Sequence, residues 1–243
     1  NECTIRGVSF EIIADAQATA ILNEISNPEL NADIVKLEKA PKIAVYSPKT
    51  KQPWDDAVTL VMAYSEIPYD VIYDDEIIQG KLPLYDWLHL HHEDFTGQYG
   101  KFYAAYKNAP WYHLQVNELE ETAKRLGFSK VSQLKLGVAL KIRDYTAGGG
   151  FLFTMCSGTD SYDIALAAEG VDLCESMFDG DPADPQAQKK LDFSKTFAFT
   201  DFTLSKSPLE YEFSNIDMTP VHSRTPPHLD VFTLFEFSAK WDP

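Results

Sequence analysis

No run of eighteen apolar residues occurs in the sequence, so no segment reads as a membrane-crossing helix. Cysteine is scarce. The three present, Cys3, Cys156 and Cys174, lie 153 and 18 residues apart, which fits neither a zinc-ligand pattern nor a CxxC redox pair. Their odd number leaves at least one thiol free, and in an exported protein a Cys3–Cys174 bridge is one expectation. Basic charge is also short: 21 Lys and Arg stand against 37 Asp and Glu, a formal charge of −16. That field repels polyanions, so neither nucleic acid nor an anionic membrane surface is an expected partner. No internal repeat and no signal-peptide pattern is visible. The first residue is Asn1 rather than Met, which leans the expectation towards an exported, periplasmic protein, with the cytoplasm as the alternative.

What is present reads as one α/β domain with appendages. Residues 1–40 form a lead-in, with helical spacing from Phe10 to Ile25 and a stop at Asn27-Pro28. From residue 41 short apolar runs alternate with helical patterns. Ile43 to Tyr46, Tyr69 to Tyr73, Asp86 to His91 and Phe151 to Met155 read as strands. Trp54 to Glu66, Asn117 to Leu126, Val131 to Thr146 and Thr159 to Ala168 read as helices. This alternation predicts a parallel sheet with helices on both faces over residues 41–178. Beyond it, Phe197 to Phe199 and Val231 to Phe237 read as strands of a β-rich extension, 179–243, packed on the same domain. Ligands in such sheets bind beyond the carboxyl ends of the strands. Two loops fall there: His91 to Gly97, and Cys156 to Ser161.

Cys156 follows a strand and precedes a helix, with the small residues Ser157, Gly158 and Thr159 after it. A sharp turn at such a joint lifts the side chain above the sheet and aims the next N–H groups at the same spot. The helix N-terminus favours a thiolate there. Exposure, a thiolate and nearby donors are the needs of a nucleophilic cysteine. A small buried residue ending a strand is the competing reading, because cysteine is among the most buried residue types.

The Cys156 to Ser161 segment resembles the nucleophile elbow of the class I glutamine amidotransferase-like superfamily. More closely, residues 42–243 resemble a bacterial family often labelled asparagine synthetase B. The resemblance rests on His89 to Phe102, on Cys156 to Ser161, and on Cys174 to Pro182. It implies a flavodoxin-like fold and a cysteine hydrolase acting on a C–N bond of a small-molecule amide, without a cofactor or metal. Cys156 would be the nucleophile. Gly97, Ser157, Gly158, Thr159 and Asp160 would line the binding site. It also implies a late His–acid pair, but the late histidines His222 and His228 lie in a Ser/Thr/Pro-rich stretch that does not follow a strand as the pattern requires.

The bases nearest the elbow by topology are then His92 and Glu93, whose competing reading is a polar strand end that holds loops together. A metal site from His89, His91, Glu93 and Asp94 is a further alternative. The acidic turn Asp179, Asp181 and Asp184 reads as a solvated, proline-fixed turn in preference to a calcium site. Two other functions stay open. One is a non-enzymatic binding or assembly subunit with a protein partner. The other is an ATP-pyrophosphatase-type synthetase, because Ser157-Gly158-Thr159-Asp160-Ser161 resembles that loop with one glycine missing.

Overall fold

The computed structural model describes residues 9–27, 40–49 and 56–216, together with Thr4, Gly7 and Pro53. Helix α1 (Asp15–Ile25) belongs to its own compact unit, and none of its residues is buried. It starts five residues later than its spacing suggests. The Gln17 side chain accepts from the Ala14 N–H at its start, and Ser26 Oγ donates to the Leu22 carbonyl at its end. The second unit, Pro41–Pro226, contains the sheet.

That sheet has four parallel strands in the order β2-β1-β3-β4, a flavodoxin-like arrangement. They are β1 (Ile43–Tyr46), β2 (Tyr69–Ile72), β3 (Trp87–Leu90) and β4 (Phe151–Thr154). All four β1 residues are buried, which explains the unbroken apolar run of a central strand. Its side chains divide by parity. Ala44 and Tyr46 join the main core, whereas Ile43 and Val45 pack with Met62 on the other face.

Met62 lies on α2 (Ala57–Tyr64), whose N-cap Asp56 accepts from the Val58 and Thr59 N–H groups. Trp54 and Asp55, expected in its first turn, lie outside the described residues. Short α3 (Asp74–Ile78) follows β2. After β3 come α4 (Tyr103–Tyr106) and α5 (Pro110–Arg125). Helix α5 starts seven residues before the expected Asn117, with Pro110 in its first turn, where a missing N–H costs nothing. Helix α6 (Val131–Ala147) lays Leu134, Val138, Ala139 and Ile142 into the main core.

One member of that buried stripe is Lys135. Its ammonium lies 2.9 Å from both Asp74 carboxylate oxygens and donates to the Tyr46 and Tyr73 hydroxyls. Removing one partner of such a pair costs about 3–5 kcal/mol, because the other charge stays buried.

Helix α7 (Ser157–Ala167) runs directly from the β4 turn and is buried almost throughout. Beyond it lie α8 (Ser176–Asp179) and α9 (Ala187–Lys190). The expected β-rich extension is not formed by the described part of 179–216, which has one isolated bridge, Leu204 to Ser214. Phe197 to Phe199 is no strand, because its three successive N–H groups donate to the buried Asp163 carboxylate at 2.8–2.9 Å. An anion cradled by consecutive amides removes those donors from any ladder. Ile164 and Ala167 of α7 pack against Phe202 and Phe213, so residues 179–216 share a core with the α/β part. Val231 to Phe237 lies outside the described residues.

Candidate functional site

The joint between β4 and α7 places Cys156 at φ 54°, ψ −148°. A non-glycine residue there costs about 1–3 kcal/mol, and such strain concentrates at functional positions. The thiol is exposed and free. Helix α7 begins at Ser157, two residues earlier than its sequence pattern suggests, so Cys156 is itself the N-cap. Among the described residues its Sγ makes no hydrogen bond.

The His91 to Asp94 segment crosses the first turn of α7. Gly158 N–H donates to the His91 carbonyl at 2.9 Å, and Ser157 Oγ donates to the His92 carbonyl at 3.0 Å. Ser161 Oγ donates to the Glu93 carbonyl at 2.9 Å. A methyl on Gly158 would lie 2.5 Å from the His91 oxygen, so only glycine permits this approach. The Gly158 N–H is therefore already engaged, while the Ser157 N–H has no partner among the described residues.

The two histidines form a chain. His92 Nδ1 is 2.9 Å from His91 Nδ1, which is 3.7 Å from Asp56 Oδ1. Burial, and then the neighbouring His91, lower the His92 pKa, which favours a neutral imidazole at neutral pH. Asp56 was not legible as a member of this chain, since its sequence context marks only a helix start.

Glu93 is buried and its pKa is pushed up to about 8, with burial the largest cause. Its Oε2 accepts from the His91 N–H at 3.1 Å. Its Oε1 is buried without a hydrogen-bond partner among the described residues, and Glu93 lines a cleft in which Cys156 takes no part. Gly97 lines the same cleft at φ 86°, with Ser132 of α6 only 2.6 Å from where a methyl would sit. Asp94 braces that loop by accepting from the Thr96 and Gly100 N–H groups. The expected site residues thus divide: Cys156, Ser157, Gly158 and Thr159 at the α7 turn, and His92, Glu93 and Gly97 around the cleft. Asp160 is buried, and its Oδ1 accepts from the Ser161 N–H.

The metal alternative at β3 does not assemble. His89 turns to the opposite sheet face and stacks on Phe153, with ring centroids 5.2 Å apart. Among the described residues the one group of three potential ligands lying close together is Asp172, Cys174 and Asp179. A lysine cation already serves it: Lys130 Nζ is 3.0 Å from Asp172 and 2.9 Å from Asp179, and also contacts Asp181. The acidic turn is therefore paired with lysines: Lys130 meets Asp179 and Asp181, and Lys190 meets Asp184. Cys174 is a free, buried thiol that donates to the Thr96 carbonyl. Cys3, His222 and His228 lie outside the described residues.

Fold and site together define a parallel α/β protein of flavodoxin-like order with a strained cysteine at a strand-to-helix turn. No protein-family model, no curated protein and no solved structure matches the chain. No described helix is long and apolar enough to cross a membrane.

Proposed function

We propose that the protein is an amidotransferase-like hydrolase that cleaves the C–N bond of a small-molecule amide with Cys156 as nucleophile. The observation that carries this reading is the strained, exposed Cys156 at the mouth of α7. Sulfur attacks the carbonyl carbon, the C–N bond breaks, and the leaving nitrogen takes the thiol proton. Water then cleaves the thioester and restores the thiol. The Ser157 N–H is the donor nearest in sequence for the oxyanion. His92 is the base candidate: burial favours its neutral imidazole at neutral pH, and His91 lies beside it with the two Nδ1 atoms 2.9 Å apart. Glu93 fits a binding role better than that of base, because it is largely protonated at neutral pH.

The ATP-pyrophosphatase reading has less support. Ser157 to Ser161 is helical from its first residue, with Ser157 and Ser161 bonded inward, which leaves no loop to wrap a pyrophosphate. A non-enzymatic binding subunit remains the second reading, favoured by the half-exposed Phe151 and Phe153 on β4. Ammonia release from glutamine and related primary amides separates the two. Cys156→Ala is expected to abolish turnover; unchanged turnover in that variant would overturn the nucleophile assignment.

A further inference from the structure

Strands β1 and β3 are neighbours, yet the chain leaves β1 for β2 on one side and returns to β3 on the other. The carboxyl ends of such a pair form the crevice where open parallel sheets hold ligands. Here Pro48 follows β1, Tyr73 follows β2, and His92, Glu93 and Asp94 follow β3, and all five line one cavity. The inner cavity is about 30 Å³, and an outer one of about 170 Å³ shares Pro48, Tyr73, Gln115 and Leu119 with it. A cavity of roughly 150 Å³ admits a benzene-sized molecule.

Two buried polar atoms at this place have no hydrogen-bond partner among the described residues: Glu93 Oε1 and Gln115 Oε1. Leaving such atoms unpaired costs about 1–3 kcal/mol each. They are chemically unlike. Glu93 Oε2 already accepts from the His91 N–H, so the proton of the neutral acid belongs on Oε1, which becomes a donor. Gln115 Oε1 can only accept. The lysines and arginine around them are matched in pairs: Lys135 with Asp74, Arg125 with Asp75, and Lys49 with Glu76, and the further charged groups lining the two cavities, Asp94 and Glu118, are carboxylates. An anionic ligand would find no unmatched cation among those.

We propose that this cleft binds an uncharged small molecule through an amide group, whose carbonyl accepts from Glu93 Oε1 and whose N–H donates to Gln115 Oε1. The inner cavity takes the amide and the outer cavity its remainder. Cys156 lines neither cavity, so binding here is measured separately from turnover at Cys156, although His92 and Glu93 of the proposed function line the inner one.

Ionisation of Glu93 gives a distinct signature. Below about pH 8 the acid is protonated and donates; above it, Oε1 becomes an acceptor facing the ligand carbonyl. The groups acting on it are Lys135 of α6, Asp56 at the head of α2, Tyr46 at the end of β1 and Tyr73 after β2, and the adjacent His92 and Asp94 line the same cavity. Glu93→Gln keeps a donor at every pH.

Saturation-transfer NMR on the full chain, with acetamide and with acetate as probes, tests the proposal. At about pH 6.5, wild type and Glu93→Gln are expected to bind acetamide saturably and acetate not at all. Glu93→Leu and Gln115→Leu, each checked for folding by circular dichroism, are expected to lose about tenfold in affinity. At about pH 9.5 wild type is expected to lose a comparable factor while Glu93→Gln does not. Absence of saturable acetamide binding would mean that the cavity holds water only and would overturn the proposal. Equal binding by wild type and both leucine variants would do so too, as would a pH loss shared by Glu93→Gln.

Discussion

Cys156 holds a conformation that a glycine would adopt without strain, and the chain keeps a thiol there nonetheless. Cys156→Gly is therefore expected to raise unfolding stability by about 1 kcal/mol, the relief of strain exceeding the entropy that glycine adds to the unfolded chain. Urea denaturation reads this directly. A variant less stable than wild type would show that the thiol contributes packing, and the strain argument for function would go with it. The competing reading of Cys156 as a buried strand end loses ground at this scale, since Cys174 is the buried thiol and Cys156 the exposed one. Glu93 carries the opposite lesson. As an acid beside a strand end it reads as a base, but burial raises its pKa to about 8 and makes it a donor at neutral pH.

At the scale of elements, α7 organises its surroundings through polar groups on several sides. Ser157 and Ser161 hold the segment after β3, and Asp163 holds Phe197 to Phe199. Asp163→Asn keeps one carbonyl acceptor and loses the charge. The expected cost is about 1–3 kcal/mol, with faster hydrogen exchange at the amides of Phe197, Ala198 and Phe199. Protection unchanged at those amides would mean that the segment is held by the packing of Phe202 and Phe213 alone. Helix α6 and its N-cap do similar work, where Lys130 at the cap gathers Asp172, Asp179 and Asp181 and Lys135 in the helix meets Asp74.

For the whole molecule, the excess of acid dominates. A formal charge of −16 repels itself in the compact state more than in the expanded one. Added sodium chloride, from about 10 mM to about 300 mM, shortens the range of that repulsion and is expected to raise the thermal midpoint by a few degrees. A midpoint that falls with salt would show that the ion pairs outweigh the repulsion. The central strand β1, by contrast, buries apolar side chains on both faces, and the one buried ion pair beside it is Lys135 with Asp74 among the described residues.

The parallel α/β architecture was legible because its signals are local. An apolar run of four residues, a proline or glycine stop and a 3.6-residue period each report on a few neighbours, and they placed all four strands to within a residue or so. The turn at Cys156 was legible for the same reason, although the start of α7 was not, since Ser157 and Gly158 are weak helix formers held by bonds to the segment after β3. Tertiary structure alone decided the rest. Asp163 takes Phe197 to Phe199 out of a strand from more than thirty residues away. Glu93 and Gln115 come to face one cavity from different elements. Cys156 was a candidate nucleophile on sequence grounds; its strain, its exposure and its separation from Glu93 became visible only once the packing around it was complete.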